Sequence, residues 1–292
     1  LWDLLGKAKE VPVWQLLGYE RSHAKLPYAS MLMGDTPQGT LDRARLARAN
    51  GFRAVKFGWG SYGTGSAADD ADHVAAAREG LGDDAQLLID AGQIWGDDVD
   101  AAVARLDALE RAHATWLEEP FVPHAFVAHA ALASRARTVG IAGGEGAHTV
   151  HMATNLIDYG GVRFIQVDAA RIGGIGPAKA VADHAVRHGV TYVNHTFTSH
   201  LALSASMQPY AGLADHRICE YPVEPKPVAL AISSNHILLD ENGEVRAPDA
   251  PGLGIDVDLA GLVPYLRHVE ISIDHERVYT SPEVPHRVRE VV

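Results

Sequence analysis

Short apolar stretches recur along the chain at a nearly even interval, and each ends on an acid or an imidazole. QLLID ends at Asp90, ATWLE at Glu118, VGIAGGE at Glu145, RFIQVD at Asp168, TYVNH at His195 and HRICE at Glu220, so these six residues follow one another every 23 to 28 residues. That interval holds one strand, one helix and two loops. Repeated, it builds a parallel α/β barrel whose strand C-termini share one face. Eight strands are predicted, at 28–33, 54–57, 87–90, 115–117, 139–142, 164–167, 192–194 and 217–220. All are short, apolar and bounded by turn residues, as parallel strands buried on both faces are.

Helical patterns fill the gaps at 40–50, 69–79, 98–111, 125–137, 149–159, 177–188 and 199–210. Gly51 is placed to end the first of them, and Pro177 suits a first helical turn. The segment DDADHVAAARE carries its acids first and Arg78 late, which suits the helix dipole. Asp69, Asp70, Asp97 and Asp98 read as caps and solvated helix starts. The opening WDLLGKAKEVPVWQLLG reads as an amphipathic helix.

The end of the chain differs. Pro222, Pro225, Pro227, Pro248 and Pro251 crowd residues 221–254, around a hairpin-like ILLDENGEVRAP with Glu241-Asn242-Gly243 as its turn. HVEISIDHERVY alternates like a single exposed-face strand whose pairing partners lie elsewhere. The expected organisation is a barrel over 1–220 and an extension over 221–292 that packs on it.

Length and charge narrow the class. A chain of 292 residues can form one barrel domain. With 25 basic and 37 acidic residues the net charge is −12, which disfavours nucleic acid and anionic membrane as partners. A small anionic substrate stays compatible, because a bound cation reverses the local field. The single cysteine, Cys219, cannot form an internal disulfide, so a reducing cytoplasm is expected. No apolar run approaches the roughly 18 residues of a membrane span, and no signal peptide is evident. The first residue is Leu1, and the protein is expected to begin upstream of it.

Asp90, Glu118 and Glu145 would end the third, fourth and fifth strands. Neighbouring strands lie about 4.8 Å apart, so three such carboxylates can surround one ion. An all-oxygen set suits Mg²⁺, or Mn²⁺, rather than Zn²⁺. Any one acid reads equally as a solvated loop acid or an N-cap. Three in register on successive strands do not. Glu118 is followed by Glu119, and the two cannot point the same way on an extended segment. The first is assigned to the metal and the second to a supporting or substrate-facing role.

Asp168 and His195 would end the sixth and seventh strands as neighbours. A carboxylate beside an imidazole fixes its tautomer and raises its pKa, which makes a competent general base and acid. Lys56, in AVKFGWG, can bind a substrate carboxylate or, if desolvated, move a proton. Glu220 can hydrogen-bond a substrate oxygen, in its protonated form if it is to donate. Trp59 and Gln93 are candidate pocket residues, with packing the alternative for Trp59. Of the 16 histidines, His195 stands out by register. His113, His124, His129, His148, His151, His184, His188 and His200 read as capping, packing or solvent-facing.

The pieces AVKFG, LLIDAGQIW, WLEEP, GGE, QVDAARIGGI, VNHTF and CEYP, in this order and spacing, resemble the mandelate racemase subgroup of the enolase superfamily. The resemblance spans almost the whole chain, to PGLGIDVD near Asp256. It implies a modified TIM barrel, (β/α)₇β, with Mg²⁺ on Asp90, Glu118 and Glu145, a His195–Asp168 dyad and a Glu220 electrophile. It also implies a homo-oligomer and an N-terminal α+β capping domain, which this chain would lack and to which the C-terminal strand would return. One departure bears on the reaction. Racemising members resembling this chain carry Lys-x-Lys after the second strand, whereas here Lys56 is followed by Phe57 and Gly58. Glycine cannot move a proton, so a two-base transfer loses one base. The expectation is dehydration of a sugar acid, an aldonate or aldarate, to a 2-keto-3-deoxy acid. The alternatives are racemisation or epimerisation of a 2-hydroxy acid, and a non-catalytic barrel with a binding or regulatory role.

Overall fold

The computed structural model describes residues 1–282. Residues 283–292, the end of the expected extension, lie outside the described residues. Eight parallel strands form one sheet: β1 Leu26–Leu32, β2 Ala54–Gly58, β3 Gln86–Asp90, β4 Ala114–Glu118, β5 Gly140–Gly143, β6 Phe164–Val167, β7 Thr191–Asn194 and β8 Ile218–Tyr221. They run β7-β6-β5-β4-β3-β2-β1-β8 around the barrel. Two short helices lead in, α1 Trp2–Lys9 and α2 Val13–Leu16. Between strands lie α3 Pro37–Ala49, α4 Ala67–Leu81, α5 Val99–Arg111, α6 Phe126–Ala133, α7 Val150–Gly160, α8 Ile175–Arg187 and α9 His200–Met207. This is the (β/α)₇β barrel expected from the repeat.

Two apolar layers hold it. Inside the barrel, Tyr28, Ala54, Leu88, Trp116, Ala142, Val193 and Ile218 form one buried cluster. Tyr28 meets Trp116 edge-on, with ring centroids 5.6 Å apart. Outward-facing strand residues such as Val55, Phe57, Leu87, Ile89, Leu117 and Ile141 pack instead against the helices. The strict alternation between the layers is the period-2 geometry of a strand.

The ladder covers seven of the eight junctions, and β7 and β8 are its two ends. A side chain closes the seam. Asn194 Oδ1 accepts from the Glu220 backbone N–H at 3.0 Å, and Asn194 Nδ2 donates to the Glu220 carbonyl at 3.2 Å. Tyr210, from the turn after α9, adds its hydroxyl to Asn194 Oδ1 at 2.7 Å.

Local chemistry sets the helix ends. Ser66 and Asp69 form a reciprocal capping box at the start of α4, and Asp98 caps α5. Gly51, at φ 88°, follows α3 as expected. Other expectations are corrected. Asp70 is 2% exposed rather than solvated. It bonds Arg105 Nε at 3.0 Å and the Gly63 N–H at 2.9 Å, which offsets the cost of burial. The opening segment is two helices, because Glu10 turns left-handed at φ 55° and Pro12 starts the next. The fourth helical pattern, at 125–137, stops at Ala133 rather than Arg137.

The extension runs back over the barrel. Lys25 and Val245 exchange backbone hydrogen bonds at 2.7 and 3.0 Å, and Gly252 does the same with Val11 and Val13 at 3.0 and 2.9 Å. Trp14 Nε1 donates to the Pro248 carbonyl at 3.0 Å. The turn at Asp240–Gly243 forms, and the Asp240 N–H donates to the Glu244 carbonyl at 2.8 Å, but the arms of ILLDENGEVRAP pair no further, because Val245 pairs with Lys25. HVEISIDHERVY is a hairpin rather than one strand: β9 Glu270–Ile273 pairs antiparallel with β10 Glu276–Thr280. Asp274 and His275, at φ 50° and 68°, make the two-residue turn that this requires. Both its strands are exposed throughout.

Two predictions follow from these contacts. Asn194→Ala leaves the Glu220 N–H buried without its acceptor and the Tyr210 hydroxyl with only the Ile218 carbonyl at 3.3 Å, and should cost about 2–4 kcal/mol in chemical denaturation. His216 Nδ1 accepts the Tyr192 N–H at 2.8 Å, and burial holds its pKa below the ordinary 6.5. The unfolded chain therefore takes up that proton first. The contribution of His216 is full above pH 6.5 and is lost as pH falls below it. The stability difference between the native chain and His216→Gln should shift in favour of the variant between about pH 7 and about pH 5.

Candidate active site

The parity that fills the barrel also builds its mouth. Two residues beyond Ala54, Leu88, Trp116 and Ile218 on the same strands stand Lys56, Asp90, Glu118 and Glu220. Each is the next inward-facing position toward the strand C-terminus. The register staggers them: Asp90 lies beside Glu118 and Gly58, Lys56 beside Ser30 and Leu88, and Glu220 beside Tyr28. Glu145, Asp168 and His195 follow the ends of β5, β6 and β7. The structure thus brings the six spaced residues and Lys56 to one opening, as the interval implied. A cavity of about 450 Å³ lies there, lined among others by Lys56, Trp59, Asp90, Glu145, His195 and Glu220.

Lys56 is 4% exposed and sits among carboxylates. Its Nζ lies 2.7 Å from Glu118 Oε1 and 3.3 Å from both Asp90 Oδ2 and Glu220 Oε1. Burial alone would lower its pKa, but Glu118, Glu220 and Asp90 drive it well above the ordinary lysine range. Burial raises Glu118 and Asp90 in turn, against the pull of Lys56. Trp116 Nε1 donates to Glu118 Oε2 at 3.1 Å, and the Thr196 N–H to Glu220 Oε2 at 2.7 Å.

His195 forms the other half. Its Nδ1 lies 2.9 Å from Asp168 Oδ2, and its Nε2 lies 3.0 Å from Glu145 Oε2 and 3.8 Å from Glu220 Oε2. Burial would depress the imidazole, but the hydrogen bonds to Asp168 and Glu145 raise it to about 10. Burial would likewise raise Glu145, yet His195, the Lys56 charge and Arg171 hold it at about 2. Asp168 is also held below its ordinary value, with burial outweighed by His195 and the Arg171 and Ala170 N–H groups.

Trp59 takes a left-handed φ of 58° and is 55% exposed at the rim. Its Nε1 donates to Asp90 Oδ2 at 3.3 Å, and its ring covers Gly92. Gln93 supports rather than lines: its Nε2 donates to Glu119 Oε2 at 2.7 Å. Glu119, at φ 41°, turns its buried carboxylate to Gln93 and the Gly146 N–H. Burial and the Glu145 charge push it up to about 7. Sequence reasoning missed Arg171, whose Nη1 lies 2.9 Å from Glu145 Oε1. It also missed Phe197, whose ring stands edge-on to His195 at 5.6 Å. Arg171 comes three residues after Asp168, on the loop after β6, which was the available signal. Phe197 had none.

The donors at the mouth suit a hard dication. Asp90, Glu118 and Glu145 offer only oxygen, and they repel one another in a buried setting. A divalent cation would relieve that repulsion. In this structure Lys56 supplies the positive charge for Asp90 and Glu118, while His195 and Arg171 supply it for Glu145.

Residues 40–261 match the family described as enolase C-terminal domain-like. The chain belongs to the enolase superfamily. Among its relatives in that superfamily is the 3,6-anhydro-alpha-L-galactonate cycloisomerase of Streptomyces coelicolor. It is 30% identical over 266 residues, which are 90% of this chain and 68% of that protein. The L-talarate/galactarate dehydratase of Salmonella typhimurium is 32% identical over 227 residues, 77% of this chain and 52% of that one. A crystal structure described as a "predicted Mandelate racemase" from Rhodobacter sphaeroides shares 59% identity. It superposes with a TM-score of 0.91, covering 97% of this chain and 72% of that one.

The buried lysine gives a prediction. Lys56→Met removes the cation shared by Glu118, Asp90 and Glu220, and should cost about 3–5 kcal/mol near pH 8. Glu118 and Asp90, both raised by burial, then gain protons more readily folded than unfolded, so the deficit should shrink as pH falls. Urea denaturation of the variant across pH checks both.

Proposed function

We propose that the chain abstracts the α-proton of a sugar acid and eliminates the β-substituent, dehydrating an aldonate or aldarate to a 2-keto-3-deoxy acid. The observation that carries this is one imidazole, held by the Asp168 carboxylate, at a mouth where Asp90, Glu118 and Glu145 also converge, with Gly58 two residues beyond Lys56. Asp90, Glu118 and Glu145 would hold Mg²⁺ or Mn²⁺, whose chemistry when bound is electrostatic stabilisation of the charge that develops as the α-proton leaves.

The protein groups divide the remaining work. His195 Nε2, once freed of its bond to Glu145 and its proton, would take the α-proton, while Asp168 accepts from Nδ1–H and fixes the tautomer. The same imidazole then returns a proton to the departing 3-hydroxyl, which leaves as water. The enol product tautomerises to the 2-keto acid. Lys56 holds the substrate carboxylate from the cavity floor, and Glu220 hydrogen-bonds the enediolate oxygen. Trp59 closes the rim over Asp90. Specificity would also draw on a capping domain of the kind the resemblance implies, which the exposed β9–β10 hairpin would join.

Gly58 weighs against racemisation. A Cβ there would lie 2.4 Å from Asp90 Cβ and 2.5 Å from the Asp90 carbonyl oxygen. A base at that position could be accommodated only if the Asp90 backbone moved. A second reading has a specific observation behind it: two of the relatives are named as cycloisomerases, one for 3,6-anhydro-alpha-L-galactonate and one for D-galactarolactone. If the leaving oxygen is tethered in a ring, the same proton abstraction gives an isomer without release of water.

A panel of sugar acids and their lactones, supplied with Mg²⁺, tests this. The dehydratase reading expects a 2-keto acid formed with loss of water, and a fall of about 10²–10⁴-fold in His195→Asn. Full activity in that variant would sink it. A ring-opened isomer of unchanged mass would select the cycloisomerase reading, and stereoinversion alone would select a racemase.

A further inference from the structure

A second constellation lies away from the mouth. Asp158 sits near the end of α7, and His184 and His188 lie in the last turn and at the C-terminal cap of α8. His184 Nε2 is 2.6 Å from Asp158 Oδ1, and His188 Nε2 is 3.6 Å from the same oxygen. One ligand atom from each residue lies within 4.8 Å of the other two, and among the described residues this is the group that meets that limit.

Helix geometry makes the pair. Residues four apart lie on one face, and the two imidazole rings stack with centroids 4.1 Å apart and planes inclined by 21°. The backbone then sets the tautomer. His188 Nδ1 lies 2.9 Å from the His184 carbonyl oxygen, which can only accept, so Nδ1 carries the proton. That leaves His188 Nε2 with its lone pair free, turned toward Asp158. A metal-binding histidine is ordinarily oriented by such a hydrogen bond from its other nitrogen. The free carbonyl end of α8 carries partial negative charge and favours a cation there.

We propose that Asp158, His184 and His188 form a binding site for a borderline transition-metal dication such as Zn²⁺, clamping α7 to α8. Two imidazoles and a carboxylate are a donor set for Zn²⁺, Co²⁺ or Ni²⁺ and a poor one for Mg²⁺. The metal replaces the proton that His184 shares with Asp158, and that proton is released to solvent. His188 is partly exposed, so a water can complete the coordination. The two helices feed β6 and β7 from the end of the barrel opposite the mouth. The site is therefore a structural clamp beneath the strands that lead to Asp168 and His195, with no group in contact with substrate.

Zn²⁺ titration of the whole chain tests this, with Mg²⁺ in large excess to occupy the carboxylates of the mouth. The expected result is one Zn²⁺ per chain. The thermal midpoint should rise by about 4 °C at a hundredfold excess over the dissociation constant. His184→Ala and His188→Ala should each weaken binding at least about 10-fold and cut that rise to about half or less. Substituting Co²⁺ gives a second readout, a visible ligand-field band lost in both variants and in Asp158→Asn. Glu145→Gln, which alters only the mouth, should leave the band unchanged. No Zn²⁺ binding above the Mg²⁺ background would overturn the proposal. So would equal binding by the native chain and both histidine variants, or loss of binding in Glu145→Gln alone.

Discussion

The crowding of carboxylates in a buried barrel mouth is the constraint to which the rest of the structure answers. Asp90, Glu118 and Glu220 are nearly inaccessible, and each would be costly to ionise there without an adjacent positive charge. Lys56 rises between them from the neighbouring strand and touches all three. Glu145 is compensated separately, by His195 on one side and Arg171 on the other. The mouth is thereby divided into a lysine half and an imidazole half, with Glu145 close to both. A dication brought to the three proposed ligands would join the halves, drawing on charge already accumulated.

The same layer depends on how the barrel closes. The β7–β8 seam is held by the side-chain amide of Asn194, which grips both backbone groups of Glu220. Asn194 directly precedes His195, and the Thr196 N–H beyond it bonds the Glu220 carboxylate. A contact that completes the fold therefore also sets the distance between the proposed base and the proposed electrophile. Fold stability and site geometry are coupled at this junction more directly than on the far side, where backbone ladders hold β2, β3 and β4.

Much of this was legible in the chain. The interval between Asp90, Glu118, Glu145, Asp168, His195 and Glu220 specifies one strand–helix unit per residue, and strand parity then sends each to the same face. Capping chemistry at Asp69 and Asp98 is local and was readable for that reason. The misreadings have a common origin. Asp70 read as solvated because its partner, Arg105, is on another helix. The arms of ILLDENGEVRAP read as a hairpin because the true partner of Val245 is Lys25, far away in sequence. Gln93 read as a pocket residue, though its amide is turned aside to Glu119.

By itself, then, the sequence determined the repeat, the parity and the identity of the groups at the mouth, since these follow from spacing along the chain and the two-residue period of a strand. Only the tertiary structure decided which charges meet: Lys56 with Glu118 rather than with solvent, Arg171 with Glu145, and His184 and His188 with Asp158 across two helices. Such pairings depend on helix rotation and side-chain reach between elements distant in sequence. No local pattern encodes either, and angstrom-scale differences in both decide the electrostatics.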